Sequence, residues 1–180
     1  SDDKNKSTIF EKNFNLEINI DKVYFDEIHS VKKLNGKLKI KNNNIVDANI
    51  LAFYNDDKNI SFTIRTTDQG NKITTIFSSL AKPLVSRYEF IKGFKDDKDG
   101  YLDFYSSRKN GVSKSKLIID NFKVKEIPVL AKLLALASLQ GIADLLTGEG
   151  IRFTDFEMNF TNENKVMRIQ ELYAIGDRKE

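Results

Sequence analysis

Three observations predict a mainly β protein. Apolar and polar residues alternate with a period of two along most of the 180-residue chain. Turns rich in Asn, Asp and Gly separate those runs at short intervals, and only one long stretch carries a helical pattern. The fold class that follows is a large antiparallel meander folded over into an open groove, a half-barrel. It carries one long apolar helix near the C-terminus and a short helix mid-chain. The length suits a single domain over 1–180.

Residues 1–12 are polar and expected to fray. Phe14, Leu16, Ile18 and Ile20 then alternate with Asn15, Glu17 and Asn19, which predicts a half-buried strand. The apolar parity shifts near Asp21–Lys22, because Val23 and Phe25 follow, and a bulge is the expected cause. Asn35–Gly36 reads as a hairpin turn. From Lys37 to Lys41 the lysines face outward and Leu38 and Ile40 inward. Those lysines read as a solvated strand face, with acidic lipid headgroups or an acidic partner as the alternative.

Asn42–Asn44 is the next turn, and Val46 to Ala52 the next strand, ended by Asn55–Asp57. Ile60, Phe62 and Ile64 mark another strand, Gln69–Asn71 a turn, and Ile73–Phe77 a further strand. Leu80, Leu84, Val85 and Tyr88 have helical spacing, so a short helix is expected with Pro83 in or just before its first turn. Asp99–Gly100 reads as a hairpin turn, and Tyr101–Tyr105 and Val112–Val124 flank another at Asn110–Gly111. Ile151–Phe160 and Val166–Ile175 make a last hairpin turning at Asn162–Asn164. The total is about nine or ten strands, most joined by short turns, which implies an antiparallel meander.

The run from Ile127 to Gly150 stands apart. Pro128 suits a first helical position, and Gly148 and Gly150 suit a helix end. From Pro128 to Leu146 a helix would span roughly 28 Å at about 1.5 Å per residue. Lys132, Gln140 and Asp144 share one narrow stripe, and apolar residues such as Val129, Leu130, Leu134 and Leu139 fill most of the remaining arc. Those polar interruptions argue against a spanning helix. A helix with so wide an apolar arc sinks into a trough, pairs with another helix or touches lipid.

The chemistry-bearing residues are sparse. Net charge is +3 with acids and bases nearly balanced, too mild to argue for nucleic acid. No cysteine is present, so disulfides, Cys-ligated zinc and thiol nucleophiles are excluded. His29 is the only histidine and reads as a surface residue, so no Ser–His–Asp set is expected. Asp96–Gly100 looks like a calcium loop until tested: Lys95 and Ser106 stand where acids are required. Asp155 and Glu157 lie on one strand face and read as solvated rather than as a glycosidase pair. No catalytic residue, cofactor or metal is expected.

The segment Leu117–Val124, with Ile127-Pro-Val-Leu-Ala131 and Ala137–Phe153 after it, resembles the AsmA-like superfamily, and most of all its YhdP/TamB-type branch. Gly93, Asp99–Gly100, Ala174 and Gly176 fit the same pattern, which extends over residues 75–176. The resemblance implies a C-terminal-half module of a longer envelope protein of a double-membrane bacterium. Such a protein is anchored to the inner membrane by an N-terminal helix, with its body in the periplasm. It carries phospholipid between inner and outer membrane along an apolar β-groove.

In this reading Leu130, Leu133, Leu134, Ala137, Ile142, Leu145 and Leu146 of the helix line or plug the groove. Phe153, Phe156, Met158 and Phe160 of the next strand face the same space. Acyl chains there would gain about 0.8 kcal/mol per CH₂ buried. Phospholipid is thus the expected partner, with no enzymatic activity. The alternative is a non-catalytic envelope scaffold that binds a protein through an exposed sheet edge or the helix. A closed lipocalin-like barrel with one small ligand is a third possibility.

Overall fold

The computed structural model describes residues 13–85, 100–124 and 151–176. They form nine strands: β1 (Phe14–Tyr24), β2 (Ser30–Lys41), β3 (Asn44–Phe53), β4 (Asn59–Thr66), β5 (Lys72–Ser78), β6 (Leu102–Lys109), β7 (Val112–Val124), β8 (Ile151–Glu163) and β9 (Val166–Gly176). One short helix, α1 (Lys82–Val85), lies between β5 and β6. All nine strands belong to one sheet whose spatial order is the chain order, each pair antiparallel. The meander expected from the alternation is therefore present.

The rest of the expected architecture needs correction. Among the described residues there is no long apolar helix, and the helical content is the four residues of α1. The stretch predicted to form the long helix, 127–150, lies outside the described residues. The layout is a single nine-stranded sheet with one short helix, and its end strands β1 and β9 are not paired to each other. Everywhere else among the described residues the period of two prevails, and α1 exists because Pro83 presets a helical φ and Ala81 caps the turn. The Ala81 carbonyl accepts the N–H groups of Leu84 and Val85, both at 3.1 Å.

Most turns fall where residues tolerant of a left-handed backbone stand. Asn42 and Asn43 (φ 49° and 60°) close β2–β3, and Asn110 and Gly111 (φ 50° and 81°) close β6–β7. Both pairs fit the turn that matches strand twist. The last hairpin turns at Asn164–Lys165 (φ 51° and 64°), just beyond the expected Asn162–Asn164.

Asn35–Gly36 is not a turn but sits inside β2, where Gly36 pairs with Ile18 on one side and Ile50 on the other. A Cβ on Gly36 would meet Ile50 Cγ1 at 3.0 Å, so the glycine makes room for the Ile50 side chain. The real turn is at Asp26–His29, where the Asp26 carboxylate accepts the N–H groups of Ile28 (2.9 Å) and His29 (2.6 Å).

The parity shift at Asp21–Lys22 has a structural counterpart, though not the one expected. β1 and β2 keep register through it, and the slip falls between β2 and β3 at Lys32–Asn35, where Lys33 has φ 51°. The segment 1–12, expected to fray, and the Asp96–Asp99 part of the acidic turn lie outside the described residues.

A cluster of buried residues lies at the β5–β6 corner. Ser78, Ala81, Pro83, Val85, Leu102 and Ile119 are all buried there. The chain is tied down by backbone bonds from Ala81 N–H to the Gly100 carbonyl and from Gly100 N–H to the Asn121 carbonyl, both 3.0 Å. Any Cβ at Gly100 would run into the Asp120 carbonyl, so only glycine fits. Ser78, fully buried, donates to the Leu80 carbonyl (2.6 Å) and bonds the Tyr54 hydroxyl (2.9 Å). Burial pushes the Tyr54 phenol up, partly offset by that contact with Ser78.

Candidate functional site: an apolar row across nine strands

The strand registers align one residue from every strand. Reading from β1 to β9, direct cross-strand partners are Ile18, Gly36, Ile50, Phe62, Ile76, Phe104, Leu117, Met158 and Leu172. No polar side chain interrupts this row. Direct partners have Cβ atoms about 4.5–5.5 Å apart, so the row is a continuous oily band that crosses the sheet perpendicular to its strands. Its side chains are half-buried through the middle of the sheet, from Ile50 to Met158, and Leu172 is exposed.

The next residue along each strand points to the other side. There the corresponding row is Glu17, Lys37, Asn49, Thr63, Thr75, Tyr105, Lys116, Asn159 and Glu171. Its members bond to one another and to neighbours. Lys37 pairs with Glu17 at 3.0 Å, Thr63 with Thr75 at 2.6 Å, and Lys116 with Glu157 at 2.8 Å. The Lys116 ammonium, helped by the Asn159 amide, lowers the Glu157 carboxyl below the usual range. Glu157 is thus engaged with a lysine and does not form a working pair with Asp155. This row is wet and self-satisfied, although Leu51, Ile73, Phe77 and Ile118 stand in adjoining rows of the same face.

Four of the residues predicted to line the groove fall within the described region. Phe156, Met158 and Phe160 alternate along β8 on the apolar face, opposite Ile119, Leu117 and Ser115 of β7. Phe160 is buried and the other two half-buried. Phe153, also buried, pairs with Phe122 beyond an irregularity at Thr154, across from Asn121 with φ 47°. Leu130, Leu133, Leu134, Ala137, Ile142, Leu145 and Leu146 lie outside the described residues. Sequence reasoning missed the members from β1 to β7. Alternation marked Ile18, Ile50 and Phe62 as apolar positions of their strands, Gly36 was read as part of a turn, and only register places all of them side by side.

One row further toward the hairpin turns, the same face becomes milder. Thr74, Ser106 and Ser115 are direct neighbours there, with the Ser115 hydroxyl donating to that of Ser106 at 2.9 Å. His29, at the far end of the sheet, bonds Asp26 through Nδ1 at 2.7 Å and holds that carboxyl down at about 2. Among the described residues no cluster of His, Asp and Glu could hold a metal, and no helix is long and apolar enough to cross a membrane.

No family model matches the chain, no curated protein matches it, and no solved structure matches it.

Proposed function

We propose that this chain is a segment of an apolar conduit: a module of a periplasm-spanning, AsmA-like protein that passes phospholipid between inner and outer membrane. The observation that carries the reading is the uninterrupted row from Ile18 to Leu172, backed by a fully polar row on the other side. A row that runs across the strands offers an acyl chain the same oily surface at each step of about 4.8 Å, with no polar residue at which it would stall. The resemblance of Leu117–Val124 and the segments after it to that superfamily supports the same reading.

Photo-crosslinking in cells tests it. A crosslinker at Phe62, Phe104 or Met158 should capture lipid, and one at the adjacent Thr63, Tyr105 or Asn159 should not. Equal capture from both faces, or none from either, would sink the proposal.

A second reading has its own observation. All of β9 is exposed, including Ile169, Leu172, Tyr173 and Ile175. An uncovered edge strand with apolar residues on both faces suits pairing with a strand of another protein. Crosslinks from Tyr173 or Ile175 to one envelope protein, with no lipid captured from Phe104, would favour that scaffold role.

A further inference from the structure

The apolar face is not uniform along its strands. On β6 it runs from Leu102 through Phe104 and Ser106 to Arg108, and on β5 from Ser78 through Ile76 and Thr74 to Lys72. From Phe104 on β6 and Ile76 on β5 polarity therefore rises in the same direction: oily, then hydroxyl-bearing, then cationic. Lys72 and Arg108 are direct cross-strand partners, and Ser113 is the partner of Arg108 on its other side.

Two cations placed directly opposite each other on one face repel. Lys22 and Lys32 are another such pair, but Lys72 and Arg108 are the pair that ends the track running from Ile76 and Phe104. Among the described residues no carboxylate lies within ion-pair distance of either one. Cations also dominate this end of the sheet generally. Lys39, Lys41, Arg65, Lys109, Lys114 and Arg168 stand there against Asp47, Asp68 and Glu163.

Resting on the lipid reading above, we propose that Lys72 and Arg108 form a headgroup site that selects anionic phospholipid. The phosphate lies between the two cations and accepts from both, which turns their repulsion into attraction. The acyl chain runs along β5 and β6, past Thr74 and Ser106 and over Ile76 and Phe104. The open part of this track, from Arg108 to Phe104 before the buried Leu102, is about 13 Å at about 3.3 Å per residue. One leaflet of a bilayer, half of a core about 30 Å thick, is about 15 Å, so most of an extended chain lies on it.

The test is equilibrium binding of fluorescent phosphatidylglycerol and phosphatidylcholine of equal acyl length to the whole chain. Wild type should bind the anionic lipid about tenfold more tightly. Lys72→Gln with Arg108→Gln should abolish that preference, weakening phosphatidylglycerol, whose charge no choline offsets, more than phosphatidylcholine. Lys114→Gln, on the opposite face, should leave the preference intact.

Arg108→Glu is a second variant with an independent readout. It should raise Tm by removing the repulsion while losing the preference. Several results would overturn the site: equal wild-type binding of the two lipids, a preference that survives the double variant, or equal loss in Lys114→Gln. Displacement of the lipid by glycerol 3-phosphate at similar concentration would reveal a bare anion site and overturn it too. If neither lipid binds, the parent reading falls with it, whereas equal binding of both sinks only the headgroup site.

Discussion

Ile119 on β7 is 1 % exposed, while Leu117, two residues earlier on the same strand and face, is half-buried. The first belongs to the corner where residues 79–85 and 100–101 close over the sheet, together with Leu102 and Ser78. The second belongs to the row that crosses all nine strands. The side chains are chemically alike, so apolarity did not decide which was buried. Cover did. The corner holds the fold, and the row presents surface that the described residues leave half-open.

The difference can be broken most sharply at the corner. Gly100→Ala, whose new methyl would meet the Asp120 carbonyl, and Ile119→Ala should each cost about 2–5 kcal/mol, read as a drop in denaturant midpoint. Ser78→Ala should come next. It leaves the Leu80 carbonyl and the Tyr54 hydroxyl short of a buried partner, at about 1–3 kcal/mol. Phe104→Ser in the open row should cost less than Ile119→Ala yet remove lipid crosslinks from its neighbours. If the row proved as sensitive as the corner, the division between them would fail.

Smaller effects come from the wet face and the far turn. Glu157→Gln should move the denaturant midpoint least of all, because its pair with Lys116 is solvent-screened. Asp26 has a folded pKa of about 2 against an ordinary 3.8. The stability it contributes is present above about pH 4 and is lost as pH falls through 2. Asp26→Asn should flatten the Tm-versus-pH curve in that window and nowhere else.

How much of this could be read in advance depended on whether the cause was local. The turns at Asn42–Asn43 and Asn110–Gly111 were legible because a left-handed backbone selects those residues. Asn35–Gly36 misled because its glycine answers to Ile18 and Ile50, residues that only pairing brings near. Phe156, Met158 and Phe160 were legible as one face from alternation alone. Their union with Phe62 and Phe104 was not, since register is set by every turn in between. Lys72 opposite Arg108 was invisible for the same reason. The reading of a long helix drew on a 3.6-residue period, a signal that among the described residues produces only Lys82–Val85.

Because spatial order repeats chain order, no strand waits for a distant partner before it can pair. Assembly can proceed like a zipper, each new strand templated by the one just laid down, without the search that slows Greek-key sandwiches. Cooperativity should then be short-ranged, as in solenoid arrays. Damage at one margin would fray the neighbouring strands and spare the opposite margin, so the assembly can lose a rung and still stand.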